Sequence, residues 1–176
     1  MKRLRGFTIV ELLVVIVVIA ILAAIIMVSY ANVQKSARDS VRKQDVATLA
    51  KAFETYNADN GPMYNGSNCG SGGSGLGWMH YDYPGYTSMI NCLMNAKAIS
   101  KNMLPPSKTT VCSSGNLSCD AYMKYSCLQA GKNVTYIYAN LETIPHTTTD
   151  TDSTCPSAST IDTSYGMNYF VKLVDR

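Results

Sequence analysis

The chain has 176 residues, of which 47% are hydrophobic and 15% are charged, and its formal net charge is +3. Lys2, Arg3 and Arg5 supply this whole excess, because the rest of the chain carries 12 basic and 12 acidic side chains. The charge therefore gives no indication of specific nucleic-acid binding, and it marks residues 1–6 as a basic leader.

An apolar segment of 22 residues follows, from Phe7 to Val28, and Thr8 and Glu11 are its only strongly polar residues. A helix of this length spans roughly 33 Å, which is enough to cross the core of a bilayer. A carboxylate in such a segment needs either a partner or a position near the membrane interface. The segment therefore predicts a membrane helix in which Glu11 has a function.

Two other kinds of N-terminal segment explain these residues less well. A plain signal anchor combines a basic start with a long apolar helix, but it has no use for Glu11. A secretory signal peptide has an apolar core of about 7–15 residues with small residues before its cleavage site. Here the core is longer, and the first small-x-small triplet after it lies at 29–31.

Beyond Tyr30 the pattern becomes amphipathic, with apolar residues three to five positions apart. The stripe consists of Val33, Ala37, Val41, Val46, Leu49, Phe53 and Tyr56. Gly61 and Pro62 then predict the end of the helix, because glycine commonly follows the last turn and proline cannot continue it. The spacing predicts one helix of about fifty residues whose second half packs its apolar stripe on the rest of the chain.

Residues 61–176 predict one small domain. The stretch 65–77 contains six glycines and predicts a flexible loop, and Ser88 to Ala98 predicts a short helix. Strand patterns occur at 123–127, 134–141 and 165–173, with a turn at 131–132. An antiparallel sheet of three or four strands, packed on the helix stripe, is the economical arrangement of these elements.

Six cysteines all lie after the apolar segment. They are Cys69, Cys92, Cys112, Cys119, Cys127 and Cys155. An even number favours disulfides and an oxidising, extracytoplasmic compartment. Zinc is the weaker alternative, because the sequence has no C-x-x-C pair and its two histidines, His80 and His146, are isolated. The pairing stays open, with Cys112–Cys119 as one candidate and Cys155 as a possible tether for the polar loop 146–163.

No Ser/His/Asp or Cys/His arrangement is recognisable, and we predict no enzyme, no catalytic residue and no cofactor. Asp150 and Asp152 are a weak candidate for a calcium site, because no recognisable loop motif surrounds them. The 12 tyrosines suit amphipathic strands, and an adhesive aromatic patch is the less favoured interpretation.

The run GFTIVELLVVIVVIAILAAI, residues 6–25, resembles the N-terminus of type IV pilins and the related pseudopilins. In these proteins a membrane-embedded peptidase removes a short basic leader after glycine and N-methylates the new terminal residue. The resemblance implies cleavage between Gly6 and Phe7, methylation of Phe7, and a role in subunit assembly for Glu11. Residues 37–61 also resemble the helix end that follows in many such proteins, and beyond about Tyr64 the likeness is only architectural.

The resemblance also implies the fold and its location. We expect an α+β pilin lollipop, in which one long N-terminal helix packs on a small antiparallel sheet domain with disulfide-bonded loops. The expected parts are a leader (1–6), a transmembrane and filament-core helix (7–28), an amphipathic continuation (29–60) and the sheet domain (61–176). Before assembly the chain would cross the cytoplasmic membrane once, with its C-terminal domain outside, and it would then enter an extracellular filament.

The function implied by the resemblance is that of a structural pilus subunit for adhesion, twitching motility or DNA uptake. Its expected partners are identical or related pilin subunits, the prepilin peptidase, the membrane and the pilus assembly platform. A type II secretion pseudopilin and a non-polymerising, membrane-anchored binding module stay open as alternatives. One departure concerns Val28, where many pilins have a helix-breaking proline; local helix melting on assembly is therefore not expected here.

Overall fold

The structure, a computed structural model, describes residues 6–63, 67–146, 155 and 161–174. Its elements are α1 (Ile9–Asn60), β1 (Gly77–Trp78), α2 (Met89–Asn95), β2 (Met123–Gln129), β3 (Lys132–Ala139), α3 (Ile161–Tyr165) and β4 (Tyr169–Val174). Contacts divide the chain into two units, one that ends at Ala37 and one that begins at Arg38. The predicted α+β fold, with a long N-terminal helix, a small antiparallel sheet and disulfide-bonded loops, is confirmed.

Helix α1 is continuous over 52 residues and contains neither glycine nor proline. It ends at Asn60, as the sequence predicts, because Gly61 adopts a left-handed conformation with φ of 77°. The amide of Gly61 still donates a hydrogen bond to the carbonyl of Asn57, at 3.1 Å. Glycine suits this position because it has no Cβ to clash in the left-handed region.

The buried face of α1 differs from the predicted stripe. The C-terminal members of the stripe are buried or partly buried, but Val33, Ala37 and Val41 are exposed. Asp39 and Arg42 occupy the buried side of this part of the helix instead, with 3% and 4% of their surfaces exposed. The predicted stripe was wrong here because charged side chains can be buried when other groups pair with them.

The sheet has the strand order β1-β2-β3-β4, and all neighbouring strands are antiparallel. Strands β2 and β3 form a hairpin whose two turn residues, Ala130 and Gly131, have φ of 49° and 79°. Positive φ at both positions is typical of a type I′ turn, which matches the natural twist of a hairpin. The turn therefore lies one residue earlier than the predicted 131–132.

Each face of the sheet covers a separate core. Ile137 and Ala139 of β3 pack with α1 and α2 in the first core. Trp78, Tyr136 and Tyr138 lie on the opposite face, in a second core beneath the loops. Because Tyr136 and Tyr138 are fully buried, they stabilise this second core and are not part of an adhesive surface.

The described part of the glycine-rich segment is closely packed, which corrects the prediction of a flexible loop. At Gly75, φ is 67° and a Cβ atom would lie 2.1 Å from the carbonyl oxygen of Met63. The buried ammonium group of Lys124 donates to the carbonyls of Gly75 (2.7 Å) and Met63 (3.3 Å). Glycine is required at position 75 because two backbone segments approach each other there.

Three disulfides join the six cysteines, and no free cysteine is left among them. The pairs are Cys69–Cys92, Cys112–Cys119 and Cys127–Cys155, with Cα separations of 6.3, 5.8 and 5.9 Å. These separations lie within the usual range for disulfides. The pair Cys112–Cys119 is the candidate that the sequence suggested.

The last strand begins later than predicted. Tyr165 ends the short helix α3, and β4 starts at Tyr169. Gly166 lies between them with φ of 74°, and a Cβ atom there would lie 2.1 Å from the carbonyl oxygen of Leu117. The chain turns at this close contact, so the strand cannot extend back to Tyr165. Asp150 and Asp152, with most of the predicted loop 146–163, lie outside the described residues.

Candidate functional site

The first half of α1 exposes nearly every large apolar side chain that it carries. Among the most exposed are Ile9 (86%), Val10 (71%) and Met27 (71%), and Phe7, just before the helix, is 87% exposed. The helix is long and apolar enough to cross a membrane, and its most apolar stretch is not buried within the chain. An uncovered apolar surface of this kind marks a site of contact with a membrane or with other proteins.

Thr8 and Glu11 form a reciprocal cap at the start of this helix. The amide and the hydroxyl of Thr8 donate to Oε2 of Glu11, at 2.7 and 2.8 Å. The amide of Glu11 in turn donates to the hydroxyl oxygen of Thr8, at 3.2 Å. This is the capping-box arrangement, which satisfies two amides that have no partner within the helix.

The two oxygens of the Glu11 carboxylate have different surroundings. Oε2 accepts both bonds from Thr8, while no described residue donates to Oε1. The carboxylate is exposed and lies in the first turn of α1, where the helix dipole favours negative charge. The site can therefore accept a further donor or cation from outside the chain. The T-x-x-E spacing is the sequence signal for this cap, which was not among the predicted features.

Gly6 and Phe7 precede the first residue of α1, and both are exposed. A Cβ atom built at Gly6 would meet nothing within 4 Å. The peptide bond between them is thus not packed against the described residues. Of the predicted site residues, Gly6, Phe7 and Glu11 lie together at the N-terminus, whereas the six cysteines lie in the globular unit.

A second polar site, which was not predicted from the sequence, lies within the globular unit. We call it the charge cluster; it consists of Arg38, Asp39, Arg42, Asp120 and Glu142. Arg42 pairs with all three acids, at 2.9 Å to Asp39 and 3.0 Å to both Asp120 and Glu142. Arg38 donates two hydrogen bonds to Glu142, at 2.6 and 2.7 Å.

These contacts also set the proton affinity of two acids. Burial raises the pKa of Asp39, but hydrogen bonds from Thr143, Glu142 and Arg42 outweigh it and hold the pKa below that of an ordinary aspartate. The pKa of Glu142 is lowered chiefly by its hydrogen bond from Arg38. Both side chains are therefore carboxylates at neutral pH. Among the described residues, no group of three or more His, Cys, Asp or Glu side chains could hold a metal ion.

Comparison with known proteins identifies the N-terminal region. Residues 1–27 match the family described as the prokaryotic N-terminal methylation motif. The chain is 40% identical over 60 residues to the type IV wide pilus major component of Thermus thermophilus. It is 36% identical over 59 residues to the type II secretion system core protein G of Pseudomonas aeruginosa.

Both alignments are partial. They cover 34% of this chain in each case, and 46% and 42% of the two relatives. No solved structure matches the chain significantly. The family match concerns residues 1–27, and the two relatives are a pilus protein and a secretion protein.

Replacing Thr8 by Val should loosen the first turn of α1. The change keeps the shape of the side chain but removes the hydroxyl that bonds Glu11, and loss of such a cap costs about 0.5–2 kcal/mol. Amide exchange of the full chain in detergent micelles should be faster at Glu11 in this variant. Thr8→Ser, which keeps the hydroxyl, should exchange like the wild type. Equal exchange in all three proteins would contradict the capping box.

Acid should lower the free energy of unfolding in two steps. Burial lowers the pKa of His80, so below about pH 6.5 the unfolded chain binds a proton that the folded chain does not. Asp39 and Glu142 have lowered pKa values, so their contribution is present above about pH 4 and is lost as pH falls through those values. Urea unfolding of the full chain in detergent, between pH 7 and 3, measures both steps.

Two variants separate the steps. His80→Leu should remove the decline below about pH 6.5 and keep the one at lower pH, whereas Glu142→Gln should reduce only the second. A stability that stays constant from pH 7 to pH 3 would contradict both assignments.

Proposed function

We propose that this chain, which carries the prokaryotic N-terminal methylation motif, is a pilin-like subunit of a type IV pilus filament. It is made with a basic leader (1–6), is cleaved between Gly6 and Phe7, and is N-methylated at Phe7. Residues 7–28 form the membrane and filament-core helix, 29–60 continue it, and 61–176 form the outer domain. The role is structural, and no catalytic step is assigned to the chain.

The exposed apolar helix with Glu11 near its start is the observation that carries the proposal. Large apolar side chains on all sides of a helix are stable in lipid or against other helices, because the backbone polar groups are satisfied within the helix. A carboxylate adds nothing to membrane anchoring, since it makes insertion less favourable. Its presence is explained if a positive group on another subunit binds it.

Cleavage after Gly6 supplies that positive group. It would create an amine on Phe7, and the Phe7 amine of one copy can then pair with Glu11 of another. Neither group could be left alone in an apolar environment without a large desolvation penalty. Pairing offsets this penalty and fixes the stagger between neighbouring subunits, because charged pairs specify how two surfaces align.

The proposal implies several partners. A prepilin peptidase cleaves and methylates the chain, the cytoplasmic membrane holds it before assembly, and an assembly platform adds it to identical or related subunits. Three disulfides support a position of the globular unit outside the cytoplasm, where such bonds persist. The finished filament would be extracellular and would serve adhesion, twitching motility or DNA uptake.

A type II secretion pseudopilin is the second candidate. The similarity to the secretion system core protein G favours it directly, and the same N-terminal chemistry would operate. The disulfide-bonded loops favour a surface filament, because they suit an unprotected environment. A membrane-anchored binding module that never polymerises is the third candidate, and it would make no use of Glu11.

Glu11→Leu tests the proposal. The variant should enter the membrane at least as well as the wild type, because the helix becomes more apolar, but it should form few or no filaments. Membrane levels, the mass of the N-terminal peptide and filament yield by electron microscopy are measured together. The N-terminal mass should show a methylated Phe7 in the wild type.

Ile16→Leu is the matched control, since it changes an exposed apolar residue of the same helix without changing its charge. It should behave like the wild type in all three measurements. A wild-type filament yield from Glu11→Leu would remove the physical reason for assembly through this carboxylate, and an unprocessed Met1 would exclude the cleavage step.

A further inference from the structure

The charge cluster connects α1 to the two central strands of the sheet. Asp120 lies three residues before β2, and Glu142 lies three residues after β3. Because β2 and β3 are antiparallel, with Met123 opposite Tyr138, these two acids are at the same end of the sheet. Arg42 binds both of them and thus joins one turn of α1 to both strands.

Asp39 adds a second set of directional bonds on the same turn of the helix. Its carboxylate accepts from Arg42 (2.9 Å) and from the backbone amides of Glu142 (2.9 Å) and Thr143 (2.8 Å). The hydroxyl of Thr143 donates to it as well, at 2.6 Å. Four donors around one carboxylate leave little freedom for the helix to move relative to the loop after β3, because such bonds weaken steeply with distance and angle.

The rest of the contact between α1 and the sheet is mainly apolar, although Asp45 accepts a hydrogen bond from the Tyr122 hydroxyl (2.7 Å) and Lys43 lies over the ring of Tyr169. Val46, Leu49 and Phe53 are fully buried in the first core, and no hydrogen bond from their side chains defines their position. The hydrophobic effect is non-directional and depends mainly on the area removed from water. These residues hold α1 on the sheet, but they define its position along its own axis less sharply than the cluster does.

Burying the charge cluster carries a desolvation penalty that apolar side chains at the same positions would avoid. Apolar side chains of similar volume commonly replace a buried ion pair at no loss of stability, whereas ion pairs can specify a register. The buried Nε of Arg42 also has no hydrogen-bond partner among the described residues. We propose that the charge cluster fixes the axial register of α1 on the sheet, and that the apolar residues supply most of the stability.

This register does not depend on the proposed filament, because it is a property of the single chain. If the filament proposal also holds, the register decides how far each sheet domain is offset from its helix, and hence where neighbouring domains meet. The experiment below therefore uses the unassembled full chain in detergent micelles.

The test measures the distance between α1 and the sheet with two spin labels. One label is attached at Lys51→Cys on α1 and the other at Lys132→Cys, at the end of β3 opposite the cluster; both positions are exposed. The parent protein should give one narrow distance distribution. The variant Asp39→Leu/Arg42→Met/Asp120→Leu removes the buried charges and keeps the Arg38–Glu142 pair.

This variant should fold with all three disulfides and give a broadened distribution or a second population, displaced by up to about one helical turn, roughly 5 Å. Val46→Ala is the control. It weakens the apolar contact and should lower stability, but it should keep the narrow distribution. A folded cluster variant with the parent distribution would overturn the proposal, as would a broadened distribution in Val46→Ala.

Arg42→Lys provides the second variant if the triple substitution does not fold. Lysine keeps the positive charge, but its single ammonium group lacks the planar fork that reaches Asp39, Asp120 and Glu142 together. It should broaden the distribution with a smaller loss of stability. An unchanged distribution in Arg42→Lys would also overturn the proposal.

Discussion

A helix with apolar side chains on all sides cannot remain in water as a single copy, and this condition applies to α1 from Ile9 to Met27. Lipid or other helices must cover it. The polar groups at its start are consistent with both environments, because Thr8 and Glu11 satisfy each other within the first turn. No described residue donates to the other oxygen of Glu11, and in the assembly proposed above this oxygen would bind a donor from a second copy.

The same helix is used differently within the globular unit. From Arg38 onward one side of α1 is buried, first through Asp39 and Arg42 and then through apolar residues such as Leu49 and Phe53. The two kinds of contact have different physical roles. Burial of apolar side chains stabilises the folded state but does not favour one alignment of the helix on the sheet. The ion pairs favour one alignment, but burying them carries a desolvation penalty.

Local sequence signals predicted much of this fold. Gly61 marked the end of α1, strand patterns marked β2 and β3, and the even number of cysteines indicated disulfides. The burial of Asp39 and Arg42 could not be predicted, because their partners other than each other lie 78 to 104 residues away in the sequence. A charged residue on a helix is usually exposed, and only a tertiary contact reverses that expectation.

Two other differences between the predicted and the observed structure also arise from contacts with distant parts of the chain. Tyr165 continued a strand pattern, but the close approach of Gly166 to the 112–119 loop ends α3 there and delays β4. The tyrosines were expected to suit amphipathic strands, but those of β3 are buried, because residues from distant parts of the chain, such as Cys112 and Ile161, pack with them. In the candidate site, the sequence indicates the importance of Glu11. It also contains the signal for the bond to Thr8, because that bond depends on a spacing of three residues.

The central claim is that copies of this chain assemble through the N-terminus of α1. Cryo-electron microscopy of filaments isolated from cells that produce the chain tests it most directly. The account predicts a core of packed helices in which the Glu11 carboxylate lies about 3 Å from the methylated Phe7 amine of a neighbouring copy. Filaments in which Glu11 faces away from every neighbouring Phe7, or cells whose filaments never contain the chain, would contradict it.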